Sequence, residues 1–120
     1  MPEGQNPPTQ ENGEAMASEL LHIDTTATGT ETVMAIAGEF DMSTTESFGV
    51  CVGAVLDHHP GSITIDARGV TFIDSSGLRS LLLARGAAVS AGVPFRVSEP
   101  SPELLNVFER TGLRRLLLDD

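Results

Sequence analysis

The sequence predicts a single small α/β domain, a mixed β-sheet with helices packed mainly on one face, and three observations carry that expectation. The 120 residues suit one modest core rather than two. Apolar residues recur with period two in some stretches and at helical spacing in others, and after an opening pair of strands the two patterns alternate. Pro and Gly fall between the patterned stretches as punctuation. The resulting order is β-β-α-β-α-β-α-(β), in which strands separated by helices pair in parallel through right-handed crossovers.

The elements follow in turn. Residues 1–17, "MPEGQNPPTQENGEAMA", combine three Pro and three Glu with almost nothing to bury. They are expected to be a disordered acidic tail, which leaves 18–120 as the folded domain. "ELLHID" (19–24) and "TVMAIAG" (32–38) read as strands around the polar turn "TTATGTE". Phe48, Cys51, Val52, Val55 and Leu56 then form one helical stripe. Ser43 and Glu46 supply a capping-box spacing at its start, and Pro60 ends it. "SITID" (62–66) alternates as a strand, and "ARGVTFID" leads from it to a pair of serines.

Leu78, Leu81, Leu82, Ala88 and Val89 mark a second helix, ending before Gly92-Val93-Pro94. "PFRVSE" (94–99) reads as another strand. Ser101 as cap and Pro102 at the first position open a third helix, which carries Leu104, Val107 and Phe108 inward and stops at Thr111-Gly112. "RRLLLDD" is left as a last short strand or a loose end.

Composition narrows the chemistry. All seven basic residues are Arg, so the lysines of Walker-type phosphate loops, of Schiff bases and of the kinase fold are absent. The chain is not expected to hydrolyse ATP or to transfer its phosphate by itself. No Lys or Arg precedes Arg68, and residues 1–67 carry 11 Asp and Glu, whereas residues 68–120 are nearly balanced. That distribution argues against nucleic acid and anionic membrane as partners and suits a protein with basic features. A lone Cys51 excludes an internal disulfide and any multi-cysteine metal site. It lies on the apolar stripe and is read as a core thiol. Without a signal peptide or an apolar run of about 18 residues, a soluble cytoplasmic protein is the expectation. No cofactor or metal is expected.

The chemistry concentrates in "TFIDSSGL" (71–78), where an acid and two hydroxyls lie between a strand and a helix, at the carboxyl edge of the sheet. Three readings compete. Asp74 or a serine is an N-cap, worth ~1 kcal/mol. Alternatively a serine is a nucleophile, which needs a base from among His22, His58 and His59; "IDSSG" lacks the first Gly of the Gly-x-Ser-x-Gly elbow, so a small serine hydrolase is the least favoured. Finally, a serine receives a phosphate, whose charge of about −1.5 to −2 the helix N-terminus tolerates. Periodicity does not choose between Ser75 and Ser76; run backwards from the helix, it turns Ser76 away from the core more squarely.

"FIDSSGL" resembles the segment that opens the second helix in the STAS family of anti-sigma factor antagonists. "AGEFDMSTTESF" (37–48) is similar to that family's Gly-Glu-[Leu/Phe]-Asp segment, and "SPELLNVFERTGL" (101–113) to its third-helix segment. The resemblance runs over roughly residues 19–118 in the expected order. It implies an antagonist that binds an anti-sigma factor, an ATP-binding serine kinase, and so frees a sigma factor for transcription. Phosphorylation of Ser75 by that partner switches it off, and a phosphoserine phosphatase restores it. Such a protein is a bacterial phosphoprotein regulator, not an enzyme. Asp41 is implied on the same partner-facing edge, with Asp74 and Gly77 shaping the helix start and Ser76 beside the acceptor.

The sequence departs from the family pattern at two points. Arg79 replaces a commonly small residue, and from i+4 it can pair with a phosphate on Ser75. With Asp120 as the last residue, the family's usual last helix is expected to be missing. A non-switching STAS module of a stressosome or a transporter-associated complex is the alternative role for the same fold.

Overall fold

The structure, a computed structural model, describes residues 20–118. The tail expected over 1–17 lies outside them. In chain order the elements are β1 (Leu21–Thr28), β2 (Glu31–Phe40), α1 (Thr45–Asp57), β3 (Ser62–Ile73), α2 (Ser75–Ser90), β4 (Phe95–Ser98), α3 (Pro102–Thr111) and α4 (Arg114–Leu118). The sheet order is β1-β2-β3-β4. β1 and β2 are antiparallel, and the two pairings whose connections contain a helix are parallel, as the alternation predicts.

Register and burial show where the core sits. Met34, Ile65 and Val97 are aligned across β2, β3 and β4, and all three are buried. On the other face the row Asp24, Ala35, Asp66 and Ser98 is exposed or half-buried. Side chains alternate between faces along a strand, so one face of the sheet carries the core. Phe48, Cys51, Val52 and Val55 of α1 and Leu81, Ala84 and Ala88 of α2 belong to that core.

Two strand and turn boundaries differ clearly from the sequence reading. The reversal after β1 takes only Gly29 and Thr30, because Gly29 adopts φ 62° and Thr25, Thr26 and Thr28 of "TTATGTE" continue β1. They read as a turn because this end of β1 is exposed on both sides and therefore polar. β3 runs on to Ile73 instead of ending at Asp66. "ARG" resembles a break, but two register irregularities against β2 keep the strands paired to Phe40–Ile73. Gly69 is required there, since a Cβ would lie 2.7 Å from that of Ala37.

The helix ends are a mixed result. Ser101 caps α3 by accepting from the Leu104 N–H at 3.2 Å, and Gly112 ends it in the left-handed region. Val89 in α2 is exposed, contrary to the expected stripe, because the buried stripe runs through Leu81, Ala84 and Ala88 and Val89 falls on its outer flank. α1 has Thr44, not Ser43, at its N-cap position, and no capping-box bond forms. "RRLLL" is neither a strand nor loose: it forms α4, whose Leu117 is fully buried and whose Arg114 binds Glu109 of α3 at 2.8 Å. A helix thus follows α3, where none was expected.

Candidate functional site

The site is built where β2 and β3 both end. The Asp74 N–H donates to the Phe40 carbonyl at 3.3 Å, so the chain entering α2 is tied to the chain leaving β2. Gly77 makes the closer contact. An added Cβ would press into the Phe40 carbonyl group, 2.9 Å from its carbon, and would stand 3.0 Å from Ile73 Cγ1. Phe40 in turn packs on Phe48 of α1, ring centroids 4.9 Å apart. The loop 41–44 and the first turn of α2 are therefore held side by side.

Asp74 is the cap of α2. Its Oδ1 accepts from the Gly77 N–H at 3.0 Å, in extended backbone geometry. The hydroxyls are left to other uses. Ser75 is exposed, whereas Ser76 is half-buried and lines the groove between α1 and α2, which reverses the order extrapolated from periodicity. Both residues are in the first turn, where backbone N–H groups lack intrahelical acceptors and favour negative charge by about 0.3–1 kcal/mol. Arg79 is exposed one turn further on and lines the groove with Ser76 and Ser80.

Asp41 shapes the neighbouring loop. Its Oδ1 accepts from the Ser43 N–H at 2.9 Å and from the Ser43 hydroxyl at 2.7 Å. The residue that sequence reading missed is Thr44. Its buried hydroxyl accepts from the Asp41 N–H at 3.0 Å and shares its single hydrogen between the Glu39 and Asp41 carbonyls, 3.0 and 3.1 Å away. Nothing in the spacing of "DMSTTE" marks which hydroxyl turns inward. Thr44→Val keeps the shape and removes the hydroxyl's bonds to the Asp41 N–H and the Glu39 carbonyl, while the Asp41 carbonyl still accepts from the Thr44 N–H. It is expected to cost about 1–3 kcal/mol, read as a lower midpoint in thermal unfolding. An unchanged midpoint would show that water replaces the hydroxyl.

The histidines do not gather at the serines. His58 and His59 follow α1 at the amino end of β3, a 12-residue strand from Ser75, and His58 Nδ1 pairs with the Ala54 carbonyl at 2.9 Å. His22 is exposed on β1, beside Ala37 of β2. Among the described residues no cluster of three or more His, Cys, Asp or Glu is placed to hold a metal ion. None of the helices there is long and apolar enough to cross a membrane.

A four-stranded mixed sheet with a capped, serine-bearing helix start at its carboxyl edge defines a class, and comparison supplies its name. The family described as "Mlab, STAS domain" matches residues 23–119, and the chain belongs to the STAS-domain family. No curated protein sequence matches significantly. Among solved structures, an anti-sigma factor antagonist from Mycobacterium paratuberculosis is 25% identical with a TM-score of 0.74, over 84% of this chain and 86% of that one. SpoIIAA in its unphosphorylated form is 20% identical, TM-score 0.69, over 82% and 87%. The phosphorylated form of the Bacillus protein gives 22% and 0.64 over 82% and 90%. A sulfate transporter family protein from Wolinella succinogenes shares the fold, at 22% and 0.61 over 73% and 71%.

Proposed function

We propose that this protein is an anti-sigma factor antagonist. It binds an anti-sigma factor that is also an ATP-dependent serine kinase, releases a sigma factor for transcription, and is switched off when that kinase phosphorylates Ser75. A phosphoserine phosphatase reverses the switch. The observation that carries the reading is the division of labour at α2: Asp74 supplies the cap, so the exposed Ser75 hydroxyl is free of structural duty at a helix N-terminus that tolerates a phosphate. The Mycobacterium antagonist and the two forms of SpoIIAA support it.

The chain carries no lysine for ATP chemistry, so phosphorylation requires an added kinase. The test is recovery of an ATP-binding anti-sigma factor from the source cell, followed by phosphosite mapping after incubation with it and ATP. Label on Ser75 is expected. Label on Ser76 moves the acceptor by one residue, and no label on either leaves a non-switching STAS module, the reading that the Wolinella transporter protein favours.

Asp41, Asp74, Ser76 and Arg79 form the partner-facing surface around the acceptor, while Gly77, which was expected on it, is buried against Phe40 and supports the helix start from beneath. Asp41→Asn retains Oδ1 for the Ser43 bonds and removes only the charge. It is expected to weaken partner binding or slow phosphorylation several-fold with the fold intact, whereas Asp41→Ala also loosens the loop. Wild-type affinity and rate in both variants would remove Asp41 from the surface.

A further inference from the structure

α1 and α2 bury their inner stripes against the sheet, but their outer flanks leave an open groove of about 480 Å³. Gly49, Val52, Gly53 and Leu56 line it from α1, Leu83 and Ala87 from α2. Small residues keep it empty: a Cβ built on Gly49 or Gly53 meets nothing within 4 Å. Met42, 75% exposed, stands on the lining with Ser76 and Arg79, and Leu83 is 62% exposed. Large apolar side chains held in water along an apolar trough mark an interaction surface.

We propose that this groove receives an amphipathic helix of the anti-sigma factor, apolar on one side and basic along one flank. The inference rests on the function proposed above and assigns a docking element to that partner. Continuity is the first argument, because the groove reaches Ser76, next to the phosphate acceptor, so a helix lying in it brings its protein up to Ser75. Shape is the second: α1 has 13 residues, about 20 Å of wall that matches three to four helical turns, and its glycines allow close backbone approach. Charge is the third. α1 carries Glu46 and Asp57 and no Lys or Arg, and Glu46 lines the groove, so the basic flank lies along α1, away from Arg79 on the opposite wall.

Gly53→Leu tests this, because a Cβ at this position meets nothing within 4 Å and leucine improves helix propensity. The purified anti-sigma kinase recovered by affinity is the probe. Gly53→Leu is expected to unfold no earlier than wild type and to bind that kinase at least tenfold more weakly. KM for Ser75 phosphorylation should rise with kcat nearly unchanged, since the acceptor itself is untouched. Leu83→Asp, on an exposed position, should act alike and decides the matter should Gly53→Leu fold poorly. Wild-type affinity in the well-folded variants, with Ser75 still phosphorylated, overturns the groove and leaves the proposed function standing. Loss of binding in the variants of a protein that is never phosphorylated supports the groove and overturns the switch.

Discussion

Ser75→Ala is expected to bind the anti-sigma factor as tightly as wild type and to take up no phosphate, whereas Ser75→Asp binds less well. The cap bond comes from Asp74, so removing the Ser75 hydroxyl costs the helix little. The phosphate acts on the partner instead. At ~5 Å and an effective dielectric of about 20, each unit-charge pair facing it repels by roughly 3 kcal/mol before screening, enough for about a hundredfold loss of affinity. A phosphate of about two charges exceeds one carboxylate, so Ser75→Asp reproduces only part of that loss. Arg79, one turn along the helix, offsets some of the charge, and Arg79→Ala should deepen the effect of phosphorylation. Calorimetric affinities for the four proteins, with and without ATP, decide it. Equal affinity of the phosphorylated and unphosphorylated forms would end the switch model.

Gly77→Ala is expected to be among the most damaging single-methyl changes in the domain. The added carbon has no room against a backbone carbonyl and Ile73, and backbone does not rotate away as a flexible side chain does. Overpacking of this kind costs about 1–3 kcal/mol or more, and in a domain of this size each kilocalorie lowers the unfolding midpoint by roughly 4–8 °C. Relief comes only from moving α2 off Phe40, which separates the acceptor from loop 41–44. The variant should therefore lose partner affinity as well as stability. Gly86→Ala, with nothing within 4 Å of its new Cβ, is the contrasting substitution and should stabilise α2 by about 0.5–1 kcal/mol. Equal midpoints for the two variants would show that the β2–α2 contact is looser than described.

The elements with long periodic patterns were legible because their side chains report one partner surface. The stripe of α1, the strand core of β3, and the Ser101-Pro102 start and Gly112 end of α3 needed no tertiary information, since local spacing and local backbone chemistry determine them. Where a segment's environment depended on distant chain, the reading failed. "TTATGTE" is mostly strand because β2 pairs with it, and "RRLLL" is a helix whose Leu117 finds a buried place against the rest of the fold. The candidate site divides in the same way. "FIDSSGL" at a strand-to-helix junction, the acidic character of the first 67 residues and the absence of lysine follow from sequence alone. Tertiary structure decided that Asp74 takes the cap, that Ser75 is more open than Ser76, and that Thr44 turns its hydroxyl inward to hold the Asp41 loop. The physical reason is that each of these bonds is local, spanning three to five residues, and several neighbouring polar side chains are in range of the same backbone groups. Which one takes the bond follows from how the Phe40–Phe48 contact and the close approach of Gly77 to Phe40 set the backbone there, and spacing along one segment does not encode that.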